Sequence, residues 1–132
     1  MKMIYQDIYR LLSEIVDLST LRDQGYLKYK SSGFMDLNVD FLMEDEQKRE
    51  IIALSHYYKQ NGDMIADPDM ELRIDYAWDN PTCEALSYQD YFGYKKVYNE
   101  IGNFDPKIKA DLNEFLLIWL KNLKNQQFKL FI

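Results

Sequence analysis

Downstream of Pro68, the residues Met70, Leu72, Ile74, Tyr76 and Trp78 alternate with Glu71, Arg73, Asp75 and Ala77. A period of two sends one set to each side of an extended chain, so this stretch is a strand with one apolar and one charged face. Such a strand needs neighbours to satisfy its backbone and an apolar layer to cover its greasy side. The rest of the chain must supply both. Asp79-Asn80-Pro81-Thr82 turns the chain, and residues 83–92 return as an antiparallel partner with Leu86 and Tyr88 on one face.

Other strands are written less cleanly. Met35, Leu37, Val39 and Phe41 alternate with Asp36, Asn38 and Asp40, and residues 49–59 are rich in β-branched and aromatic side chains. Residues 26–30 form a short strand after Gly25, with 17–25 read as a helix exit and loop. Asn61-Gly62 is a hairpin turn, and Asp67-Pro68-Asp69 reads as a second turn. Residues 94–101 either extend the sheet or form a short helix.

The covering layer comes from the two ends. Ile4, Ile8, Leu11, Leu12 and Ile15 recur at helical spacing over 3–17. Asp105 caps a second helix that has Pro106 at its first position and an apolar stripe of Leu112, Leu116, Trp119, Leu120 and Leu123. Helices segregated from strands define an α+β class. The expected architecture over 1–132 is one domain: an N-terminal helix, a four- to five-stranded antiparallel curved sheet, and a C-terminal amphipathic helix packed on it.

Charge is unevenly placed in a chain of net charge −6. Residues 60–91 hold eight acids against Arg73 alone, whereas 92–132 hold seven lysines against four acids. A negative middle argues against direct nucleic-acid binding by the acidic region and suits a basic protein partner. No run approaches the ~20 apolar residues of a membrane span. Acids at Asp7, Glu14 and Asp17 break any signal-peptide pattern, and Cys83 is the only cysteine. The expectation is a cytoplasmic protein with no membrane contact and no cofactor; none of the five glycines falls in a phosphate-binding pattern.

Two constellations carry candidate chemistry. Asp36, Asp40, Glu71, Asp75, Asp79, Glu84 and Asp90 fall on outward strand positions or beside the hairpin, with tyrosines among them, and form a candidate partner-binding acidic face. His56, Asp63 and Asp67 form an alternative: one imidazole and two carboxylates that a turn at Asn61-Gly62 could gather around a divalent metal for assisted hydrolysis. The bland reading makes His56 a satisfied strand-end residue and the aspartates turn formers.

The blocks HYYKQNGDMIADPDMELRID, ALSYQDYFGYKKVY and FLLIWLKNLKNQQF resemble a small uncharacterised bacterial family associated with plasmids and conjugative elements. The Met-Glu-Leu-Arg strand and the closing helix are also similar to YqiB-like proteins. The resemblance covers roughly 55–128, implies a helix–sheet–helix domain, and transfers no catalytic residue. With no catalytic signature in the chain, the expected function is non-enzymatic. It is a mobile-element accessory or anti-defence protein that presents an acidic, tyrosine-rich sheet to a basic partner, with a metal-assisted hydrolase or a small-ligand-binding domain as alternatives.

Overall fold

The computed structural model of the chain describes residues 3–77 and 79–131. In order these form α1 (Met3–Ile15), α2 (Leu18–Gln24), β1 (Tyr26–Lys30), β2 (Leu37–Glu44), β3 (Glu50–Gln60), β4 (Asp63–Asp75), β5 (Thr82–Asp90), β6 (Gly93–Lys96), α3 (Pro106–Asn125) and β7 (Lys129–Phe131). The strands make one open antiparallel sheet in the order β6-β5-β4-β3-β2-β1-β7. The α+β class is as expected, but the sheet has seven strands rather than four or five. The extra ones are short: β6 parts from β5 by a two-residue loop, and β7 adds three residues beside β1. Segments of three or four residues carry too little alternation to register as strands.

Two further expectations shift for physical reasons. Residues 17–25 hold a helix, α2, bounded by Asp17, which accepts from Thr20 N–H at 3.1 Å, and by Gly25 at φ 82°. The left-handed conformation at Gly25 suits a residue without Cβ. Asp67-Pro68-Asp69 is no turn but the middle of β4, where the β3–β4 register slips between Ser55 and Tyr57. Proline donates no hydrogen bond and sits within a sheet where a bulge already interrupts the ladder.

A second slip, between Glu71 and Leu72 on β4, leaves Leu86 as the extra residue on β5. The inward set is therefore Cys83, Ala85 and Tyr88 rather than Leu86 with Tyr88, because one added residue reverses the alternation. The β3–β4 turn forms as read: Asn61 and Gly62 both have positive φ, as a two-residue type I′ hairpin requires. Trp78, the last residue of the expected strand, lies outside the described residues.

All three helices cover one face. Ile8, Leu12, Leu21, Leu116, Leu120 and Leu123 are fully buried against Leu37, Leu54, Met70, Leu72 and Ile74. Each such side chain contributes about 1.5–3 kcal/mol. At one end of this layer Arg22 of α2 makes a two-pronged ion pair with Glu50, whose carboxylate is 7% exposed, and Tyr76 donates to the same carboxylate at 3.3 Å.

β6 reaches only the far half of β5, which leaves the Ala85 N–H facing outward. The buried Asn113 of α3 accepts it at 2.8 Å and donates its own amide to the Lys109 carbonyl. No described helix lies on the opposite sheet face.

Candidate functional site on the uncovered sheet face

The register sets out this uncovered face row by row. Asp40 on β2 lies opposite Ala53 on β3, which lies opposite Glu71 on β4. One row along, Asn38, Ser55 and Asp69 line up in the same way. The β3 residues are small and buried, Ala53 at 9% and Ser55 at 2% exposure, while their neighbours are larger and polar, three of the four of them acidic. The result is a shallow trough floored by β3, with Asp40 on one wall and Asp69 and Glu71 on the other. Adjacent strands are about 4.8 Å apart, so the walls stand roughly 10 Å from each other.

These three carboxylates have no described counter-charge within ion-pair distance. Among the described residues none of them takes part in an ion pair, whereas the neighbouring Asp36 and Glu84 do. Burial and the nearby Asp69 raise the Asp40 carboxyl above the usual aspartate range. Tyr57, at the end of the trough floor, donates its hydroxyl to Asp69. Burial, with Asp69 and Asp40 adding to it, pushes the Tyr57 phenol up to about 12. Tyr26 bonds Asn38 at 2.7 Å on the neighbouring strand. Three carboxylates on one face, two of them half-buried and the third exposed, with only Tyr57 donating to Asp69, hold an electrostatic attraction for a cation.

The other acids of the expected face are placed differently. Asp36 lies just before β2 and is held by Lys30 at 2.8 Å and Lys28 at 3.9 Å. Glu84 is shared between Arg73 at 3.1 Å and Lys109 at 3.6 Å, with Tyr98 donating to it at 2.6 Å. Asp75 accepts from the Ala77 N–H, and Asp90 from Phe92 N–H and Tyr88, so both shape turns. Asp79 is exposed in the β4–β5 loop. The sequence places Asp69 in the Asp67-Pro68-Asp69 turn, although it shares the period of Glu71, Arg73 and Asp75, and that period is the signal for its place on this face.

The metal alternative is not gathered. His56 is buried with its ring against Trp119 and Phe128, and its Nδ1 is 2.9 Å from the Asp36 carbonyl oxygen. Asp63 pairs with Gln60 at the exposed hairpin tip, four residues along β3 from the imidazole. No cluster of three or more metal-ligating side chains occurs among the described residues. Cys83 is fully buried, and burial raises its thiol far above the ordinary range. A thiol held neutral in this way is a poor nucleophile.

The family model for a domain of unknown function, DUF6908, matches residues 6–129. The chain belongs to this family. The DUF6908 match takes in the whole sheet as far as the start of β7, including the first fifty residues, where no resemblance was evident in the sequence. It places the trough of β2, β3 and β4 inside the family domain. No curated protein and no solved structure matches the chain. No described helix is long and apolar enough to cross a membrane.

Proposed function

We propose that this DUF6908 domain is a non-enzymatic binding protein whose trough takes a basic segment of a protein partner. The observation that carries the reading is the set of Asp40, Asp69 and Glu71, uncompensated on two walls about 10 Å apart. A lysine or arginine side chain laid over Ala53 and Ser55 would meet carboxylates on both sides, and Tyr26 and Tyr57 would flank its aliphatic stem. Such complementarity governs encounter rate and partner choice more than raw affinity. In a bacterial mobile element, the same chemistry would suit an accessory or anti-defence protein that occupies a basic surface of a host protein.

The test uses a short labelled lysine–glycine peptide in fluorescence anisotropy, first at low salt and then across a salt series. The expected result is binding that weakens with salt and is lost in the Asp40→Asn/Asp69→Asn/Glu71→Gln variant. Unchanged binding by that variant would sink the proposal. Loss of binding in a control variant, Asp79→Asn and Asp111→Asn away from the trough, would reduce it to a nonspecific charge effect.

A further inference from the structure

A second site lies at the opposite, lysine-bearing edge. A cleft of about 630 Å³ opens between the β1–β2 loop and the C-terminal end of α3. Asn122, Asn125 and Gln126 line it from one side of the helix, and Gln127, at φ 58°, turns into it. None of these four amide side chains has a hydrogen-bond partner among the described residues. Lys30 and Lys129 complete the wall, paired across β1 and β7; among the described residues no carboxylate lines the cleft itself, and the nearby Asp36 holds Lys30 at 2.8 Å. At its mouth Phe34 is 49% exposed, with its ring 6.4 Å from that of Phe128.

The cleft continues along the sheet edge. Phe131, 57% exposed, lies opposite Lys28, with the Lys30 ammonium 4.9 Å from its ring centre. Beyond it a smaller cleft of about 380 Å³ is bordered by Tyr26, Lys28 and Phe131. Aromatic and cationic side chains thus alternate from Phe34 to Tyr26.

We infer that this edge binds a single strand of nucleic acid, with one nucleotide seated in the larger cleft. Amides offer paired donors and acceptors that match the edge of a base, exposed rings offer stacking platforms, and lysines take the phosphates. A bare phosphate would meet the negative end of the α3 dipole, so the anion alone is a poor fit. A neutral sugar would leave Lys129 without a counter-charge, and Lys28 and Lys30 with only the one carboxylate of Asp36 between them. The acidic trough begins one strand in from β1, at Asp40 opposite Tyr26, and would repel phosphates from the sheet face and confine them to the β1–β7 edge.

Anisotropy of labelled oligo(dA) and oligo(rA) of about twelve nucleotides tests this, since single-strand sites span ~4–16 nucleotides. Binding is expected to weaken as salt rises, and Lys129→Glu is expected to weaken it and flatten the salt slope by about one. Phe34→Ala should cost roughly 5- to 150-fold, the equivalent of one lost stacking contact. Lys107→Glu, an exposed lysine at the other end of α3, should change nothing. Lys129 and Phe34 are exposed, so circular dichroism should find both variants folded. Absence of salt-sensitive binding, an equal loss in Lys107→Glu, or binding indifferent to Phe34 would each overturn the inference. Adenosine monophosphate binding as tightly as the oligonucleotide would restrict the site to the cleft and refute the extended track.

Discussion

If the trough is a standing electrostatic liability, removing one of its charges should make the protein more stable. Asp40 is the residue to change, because it stands alone on its wall and burial raises its carboxyl. Glu71 faces it across Ala53, and Asp69 lies one row away. Two strand spacings put Glu71 roughly 10 Å distant, and the added row puts Asp69 at roughly 12 Å. At the shorter separation a like-charge pair costs about 0.4 kcal/mol at the dielectric of water and about 1.7 kcal/mol at an effective value of 20. For a half-buried group with two such neighbours, Asp40→Asn should therefore stabilise the fold by about 1 kcal/mol at neutral pH. In a chain of this size that raises Tm by roughly 3–5 °C.

The pH dependence follows from the same cause. The folded pKa of Asp40 is raised, so between its unfolded and folded values the native state binds more protons than the unfolded one. Its contribution to stability is therefore lost as pH rises through that interval. The parent and Asp40→Asn should melt together below the ordinary aspartate range and separate above it, with the variant the more stable. Thermal denaturation followed by circular dichroism from acid to neutral pH reads both effects. A variant that melts below the parent at neutral pH would mean that the carboxylate holds the fold together, and the reasoning would fail.

Arg22→Leu leaves the Glu50 carboxylate buried without its partner and should cost near the lower end of about 3–5 kcal/mol in urea unfolding, since the arginine itself is partly exposed. Replacing Glu50 with leucine as well should recover much of that loss. Asn113→Ala orphans the Ala85 N–H and should cost about 1–3 kcal/mol, with hydrogen exchange at that amide accelerating beyond its neighbours. Cys83 should resist a thiol reagent in the native protein and react at once in denaturant, because its neutral thiol is enclosed in the core.

Long elements with a clear period were legible in the sequence, and short or interrupted ones were not. The α3 helix announces itself through Asp105, Pro106 and an apolar stripe, and all three features hold. The α2 helix has its own caps in Asp17 and Gly25, but its seven residues are too few for a period to show. The β5 strand was found, but its facing was misassigned near Leu86, because a bulge is set by the partner strand rather than by the residues that carry it. The same limit applies to the trough. Outward acids could be named from alternation, but only the three-dimensional arrangement shows that Lys30 neutralises Asp36, that Arg73 and Lys109 share Glu84, and that no described cation pairs with Asp40.

The connectivity of the sheet has a consequence for the order in which the two surfaces come into being. The strands β2, β3 and β4 follow one another through two hairpins, so the trough needs only short loops to close. The cleft depends on the contact between the Ser31 hydroxyl and the Gln126 carbonyl, 95 positions apart. Closing a loop of that length carries a larger entropic cost, and contacts of that kind form late in folding. A chain still completing its fold would thus have its acidic trough before its basic edge, and only the finished molecule would have both.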